Sequence, residues 1–148
     1  MSEAPLSTLI ENETGAQRLL GYVLDVGQGD GCARCWLDVE ERHANRHGVL
    51  HGGFSTVLLD NCMGATASLT LDDSGRRPFL TVSMTTQFLA PARVGSRITA
   101  TGRIVGGGKS LLFLEGVVKD EDGTIIATAQ GVFKKVPDAA LKTPPVSA

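Results

Sequence analysis

The stretch from Asn45 to Asp60, NRHGVLHGGFSTVLLD, decides how this chain is read. It sets Asn45, Gly48 and the triplet His51-Gly52-Gly53 ahead of an apolar run, Val57-Leu58-Leu59, that ends at a single carboxylate, Asp60. Glycines ahead of a helix leave backbone N–H groups free to meet an oxygen that carries negative charge. Asp60 falls among Val57, Leu58, Leu59, Cys62 and Met63, where a carboxylate is costly unless it has a partner or a task. An oxyanion binder and a lone acid buried in an apolar helix together imply acyl chemistry.

Working outward, the helix spans about Gly53 to Leu69 and is apolar nearly all round, which predicts a central helix. Upstream, residues 1–16 read as a polar lead-in, and Leu19 to Val26 as a strand broken by Gly27-Gln28-Gly29-Asp30-Gly31. Between Ala33 and Val39 apolar and polar residues alternate with period two, the mark of a half-buried strand. Downstream of Asp72-Asp73-Ser74-Gly75 the chain reads as strands only. These are Leu80 to Leu89, the run around Ile98 to Ile104, Leu111 to Lys119, and Thr124 to Val136. Asp120-Glu121-Asp122-Gly123 is a hairpin turn whose glycine is placed for a positive φ. Two strands, one helix and four antiparallel strands make an α+β fold, a curved sheet over a single helix. The expected organisation is one domain over residues 17–137 and a loose tail over 138–148. A sheet wrapping one helix leaves edge strands exposed, which favours pairing with a second copy. A homodimer is expected, with a dimer of dimers left open.

The totals exclude several classes of function. With 148 residues the chain suits one domain with a substantial core. A net charge of −2 gives no global basic field for nucleic acid or an acidic membrane. The first residues, MSEAPLSTLIENETG, lack a basic segment followed by an apolar core, so no secretory signal is read there. Three cysteines make no disulfide framework, and a reduced cytoplasm is the expected compartment.

Asn45, His51-Gly52-Gly53, Asp60, Val82-Ser83-Met84 and Phe88-Leu89-Ala90-Pro91-Ala92 form a pattern. So does the ending Asp122-Gly123 followed by Ala127-Thr128-Ala129-Gln130-Gly131. Together, over roughly residues 17–136, they resemble the hot-dog-fold acyl-CoA thioesterases of the phenylacetate-degradation type. The resemblance implies a hot-dog fold, an antiparallel sheet wrapped around one long central helix, and hydrolysis of acyl-coenzyme A to a free acid and CoA. It implies that the Gly52 amide receives the thioester oxygen, with Asn45 and His51 supporting that hole. Asp60 would activate water or attack directly, and Thr81 would help place the water. Ser83, two residues along and expected on the same face, is a second candidate. No cofactor is implied beyond the coenzyme A of the substrate.

The spacing adds a constraint of its own. Nine residues separate His51 from Asp60, which on a helix is about 13–14 Å of rise and about half a turn out of phase. Donor and acid of one chain therefore cannot converge on one carbonyl carbon. A working site needs Asp60 of one subunit beside Gly52 of another, around a two-fold axis. Gly53 lacks a side chain that would block approach. The phosphates of coenzyme A could meet Arg93, Arg97, Arg103, Lys109, Lys134 or Lys135, with Gly107-Gly108 as a close backbone approach. Arg93, Gly108 and Lys109 are the favoured set.

Two constellations invite metal, namely Cys32-Ala33-Arg34-Cys35 and the four-residue recurrence of His43, His47 and His51. On a period-two strand, i and i+3 point to opposite faces, and Gly48 interrupts any helix that would align the histidines. No metal site is expected. Two rival functions are an acyl-thioester hydratase or dehydratase, whose relatives place a catalytic His and the acid at a different spacing, and a non-catalytic acyl-CoA-binding module. Phe54, Leu58, Met84 and Phe88 are the candidates to set the acyl-chain length.

Overall fold

The computed structural model describes residues 7–142. The elements are β1 (Leu9–Ile10), α1 (Gly15–Leu20), β2 (Val23–Asp25), β3 (Arg34–Asp38), α2 (Gly52–Ser68), β4 (Phe79–Phe88), β5 (Arg97–Gly107), β6 (Leu111–Asp120) and β7 (Ile125–Lys135). All strands join one seven-stranded antiparallel sheet, in the order β1-β2-β3-β5-β6-β7-β4. The sheet packs its inner face against α2, the architecture expected of a hot-dog fold.

The helix comes unusually close to the sheet at two glycines, and there the reason is steric. A Cβ on Gly102 would stand 2.6 Å from Thr66 Oγ1 and 2.7 Å from the Cys62 carbonyl oxygen. A Cβ on Gly116, its cross-strand partner, would stand 2.9 Å from Leu59 Cδ2. Thr66 Oγ1 donates to the Cys62 carbonyl at 2.6 Å and accepts the Ala33 N–H at 3.0 Å, which ties α2 to the start of β3. Around this seam Leu58, Leu59, Cys62 and Met63 are buried to 1% exposure or less. Each large apolar side chain so buried contributes roughly 1.5–3 kcal/mol.

Three sequence expectations need correction. Leu19 and Leu20 end a helix and do not start a strand. Thr14 Oγ1 accepts the Gln17 N–H at 3.1 Å and Gln17 Oε1 accepts the Thr14 N–H at 3.3 Å, a reciprocal cap that opens α1. Gly21, at φ +87°, closes it, leaving only Val23–Asp25 as strand. Secondly, part of the expected lead-in belongs to the sheet. Leu9 and Ile10 pair with Asp25 and Leu24, and buried Gln17 donates to the Ile10 carbonyl at 2.8 Å. Three strands therefore precede α2, not two. Residues 1–6 lie outside the described residues.

Thirdly, α2 is not enclosed all round. Gly53, Thr56, Val57, Asp60 and Gly64 form a stripe that stays at least partly open. At the other end of the chain, Asp138–Lys142 makes a 3-10 turn whose Asp138 pairs with Arg77 at 3.3 Å. Residues 143–148 of the expected tail lie outside the described residues. The Asp120–Gly123 turn forms as read, with Gly123 at φ +81° and Asp120 Oδ1 accepting the N–H groups of Asp122 and Thr124 at 3.0 Å.

Gly102→Ala should lower stability by about 1–3 kcal/mol, because the new methyl meets helix backbone that cannot yield cheaply. Chemical denaturation of the variant checks this, and a midpoint equal to wild type would contradict the close-approach account.

Candidate active site

The start of α2 is built by a loop that holds itself in place. Asn45 Oδ1 accepts the N–H groups of His47 at 2.9 Å and Val49 at 3.3 Å, while Asn45 N–H donates to the Val49 carbonyl at 2.7 Å. Gly48 turns the loop at φ +78°. Val49 bridges to Arg93, and Leu50 N–H donates to the Ala92 carbonyl at 2.9 Å, anchoring the loop on the segment after β4. His51 then caps α2, its Nδ1 accepting the Gly53 N–H at 2.9 Å. The cap matters for chemistry because it uses the Gly53 donor. The N–H of Gly52, first residue of α2, has no protein acceptor among the described residues.

Gly52 lies beside a cavity of about 430 Å³ that is also lined by Asn45, Ser55, Phe88 and Ile126. A Cβ on Gly52 would stand 2.9 Å from Phe88 Cε1, so only glycine lets that ring lie over the helix start. Phe88 is paired with Ala127, which faces α2, and remains 59% exposed at the edge of the sheet.

Asp60 sits two turns along, in the half-open stripe of α2. The buried acid expected from its neighbours is half-exposed in the single chain, because α2 turns its core-facing side elsewhere. Asp60 Oδ1 accepts a hydrogen bond from Thr81 Oγ1 at 2.5 Å. This joins the helix acid to the hydroxyl residue of β4. The partnership with Ser83 does not form. Thr81 pairs with Phe133 but Ser83 with Val132, so a bulge at Val82 turns Ser83 onto the outer face of the sheet.

Gly52 and Asp60 are eight residues apart on one straight helix, roughly 12 Å along its axis. On β4 the two ends are also apart, with Phe88 marking the Gly52 end and Thr81 the Asp60 end. Within one chain the two candidate groups, Gly52 and Asp60, therefore do not meet.

The basic candidates divide. Arg97 is held by Asp38 at 2.7 and 3.0 Å and stacks on Trp36 at 3.8 Å, and Arg103 is paired with Glu115. Arg93 adjoins the Asn45 loop and has no ion pair among the described residues. Gly108 and Lys109 occupy the β5–β6 turn, beside Lys134 and Lys135 at the end of the sheet away from Gly52. Within one chain they are not brought to the helix start.

The metal constellations do not assemble among the described residues. His43 is buried with both ring nitrogens engaged, and His51 Nδ1 is the helix cap. Cys35 and Cys62 are fully buried, and burial pushes both thiols up, which removes them as nucleophiles. Among the described residues no helix is long and apolar enough to cross a membrane. Sequence reading passed over Phe88 as a cover for Gly52 and His43 as a buried neighbour of His51. Aromatic spacing gives no sign of the first. A histidine two residues before Asn45 was a visible signal for the second.

Comparison with known proteins identifies the family of the chain. Residues 47–127 match the family described as the thioesterase superfamily. The chain is 35% identical over 97 residues to acyl-coenzyme A thioesterase 13 of Homo sapiens, covering 66% of this chain and 67% of that one. It is 34% identical to the Mus musculus protein of the same name, covering 67% and 69%. Among solved structures, a mutant thioesterase of Staphylococcus aureus superposes with a TM-score of 0.73 at 26% identity, covering 84% of this chain and 100% of that one. The PaaI protein of the Escherichia coli phenylacetic acid degradation operon shares the fold, with a TM-score of 0.70 at 20% identity and coverage of 84% and 86%. The chain belongs to the thioesterase superfamily.

Proposed function

We propose that this protein hydrolyses acyl-coenzyme A thioesters in a homodimer, with each active site built from two subunits. The likeness to acyl-coenzyme A thioesterase 13 supports the substrate class. One observation carries the mechanism, the pairing of Asp60 with Thr81 at a distance from the free Gly52 N–H.

The dimer follows from β4. It is a ten-residue edge strand, FLTVSMTTQF, with no charge and no proline to blunt it. Leu80, Val82 and Phe88 on it are each more than half exposed. Antiparallel pairing of two β4 strands sets the Thr81 end of one against the Phe88 end of the other. Asp60 of one subunit thereby approaches Gly52 of its partner.

In that site the thioester carbonyl oxygen accepts the Gly52 N–H, with Asn45 at the cavity wall. Thr81 donates to one Asp60 oxygen and leaves the other to take a proton from water. The hydroxide equivalent adds to the carbonyl carbon, and the charge that develops on oxygen is stabilised at Gly52. Collapse breaks the C–S bond and releases the CoA thiolate, which takes up the proton, and the free acid. Thr81 favours this base role over direct attack by Asp60, since it fixes the carboxylate side-on to a water position. Arg93, next to the Asn45 loop, is the basic residue best placed for the coenzyme A phosphates. Gly108 and Lys109 could reach them only from another subunit.

Release of free thiol from short, medium, long and aromatic acyl-CoAs tests the reading. Asp60→Asn should fold normally and lower kcat by about 10²–10⁴-fold; normal turnover would remove Asp60 from the mechanism. Thr81→Val should cost a smaller factor, about ten-fold in kcat, as expected for one lost hydrogen bond to a charged group. An unchanged kcat would make the Asp60–Thr81 contact incidental.

A further inference from the structure

His43 is a polar side chain sealed inside the protein, at 1% exposure, that the chemistry above does not use. Its surroundings fix its protonation by chemistry alone. Nδ1 lies 2.9 Å from the Glu40 backbone nitrogen, which can only donate, so Nδ1 carries no proton. Nε2 lies 2.8 Å from the Leu20 carbonyl oxygen, which can only accept, so Nε2 carries the proton. The ring is neutral, in one tautomer, and clamped between the end of α1 and the 3-10 turn Glu41–His43. Arg42 reinforces the clamp by donating to the Leu19 and Leu20 carbonyls at 2.5 and 3.1 Å.

The other side of His43 reaches the start of α2 in two ways. Its carbonyl oxygen accepts the His51 N–H at 2.8 Å. Its ring packs edge-on against Phe54, with centroids 5.4 Å apart, and Phe54 packs edge-on against the His51 ring at 5.9 Å. Phe54 N–H also donates to the His51 carbonyl at 3.0 Å. His51 is therefore gripped at its backbone N–H, its carbonyl and its ring. In this held position its Nδ1 accepts the Gly53 N–H, while the Gly52 N–H has no protein acceptor among the described residues.

We propose that His43 is a positioning residue for the oxyanion donor: its neutral, doubly anchored ring fixes the His51–Gly52 turn and so the direction of the Gly52 N–H. This rests on the thioester reading of that site. Loss of the ring's anchors lets His51 rotate, and a misplacement of order 1 Å at the reacting carbonyl costs about 100-fold in rate. The effect falls on kcat, because the donor is needed most when charge develops.

The test uses the full-length protein with His43→Phe, which keeps a ring against Phe54 but loses both hydrogen bonds, and His43→Gln, which can restore a donor and an acceptor. In folded His43→Phe, kcat should drop at least about ten-fold with KM within about two-fold. The Gly52 and Gly53 amide resonances should move, and His43→Gln should recover part of both. Wild-type kcat with unmoved amides in a folded variant overturns the proposal. Failure of the wild type to cleave any acyl-CoA would overturn the thioesterase reading instead, and the amide shifts then decide the role of His43 alone. Should His43→Phe not fold, His43→Gln and imidazole nitrogen shifts of the wild type remain decisive. A charged ring, or one protonated on Nδ1, at neutral pH contradicts the proposal.

Discussion

The structure depends on how deeply one helix sinks into one sheet. At Gly102 and Gly116 the strands carry no Cβ, and α2 occupies the space that two side chains would need. Thr66 bonds along the helix and across to Ala33 at the same seam, so the depth of the contact is fixed by hydrogen bonds as well as by volume. With α2 seated there, its first turn lies under Phe88 and its third turn lies beside Thr81. Both halves of the candidate site are set by that single placement.

The same placement leaves one side unfinished. The half-open stripe through Thr56, Asp60 and Gly64 and the uncharged edge strand β4 share one flank. A chain that buried this flank internally would separate Asp60 from Gly52 permanently. A chain that leaves it open can complete each half-site with the other half of a second copy. On the proposed function, assembly and catalysis would place the same demand on β4, and the bulge at Val82 gives Thr81 the inward direction in which it meets Asp60.

Much of this was legible in the residues. The glycine pair after His51 and the lone acid eight residues past Gly52 announced a helix with a charged start and a charged middle. Period two marked β3, the strand runs after Gly75 marked β4 to β7, and Asp120–Gly123 announced its turn. What escaped depends on partners far along the chain or on single-residue offsets. Leu19 and Leu20 look like strand residues until Thr14 and Gln17 are seen to cap each other, a local signal that was present. Leu9 and Ile10 become strand only because β2 offers an edge. Ser83 shares a face with Thr81 on any regular strand, and one bulged residue reverses it. Asp60 reads as buried from its neighbours in sequence, yet the helix rotates it toward the open flank. Arg97 and Arg103 read as free cations, and cross-strand carboxylates occupy them.

The most direct test of a site shared between subunits is complementation. Asp60→Ala removes the proposed base, and Gly52→Pro removes the proposed amide donor at a first helical position that tolerates proline once the Phe88 ring moves aside. Each variant alone should be nearly inactive. Dimers re-formed from an equal mixture should regain about a quarter of wild-type turnover, since half are mixed and each mixed dimer holds one intact site of two. Mixed dimers that form and remain inactive would contradict the account.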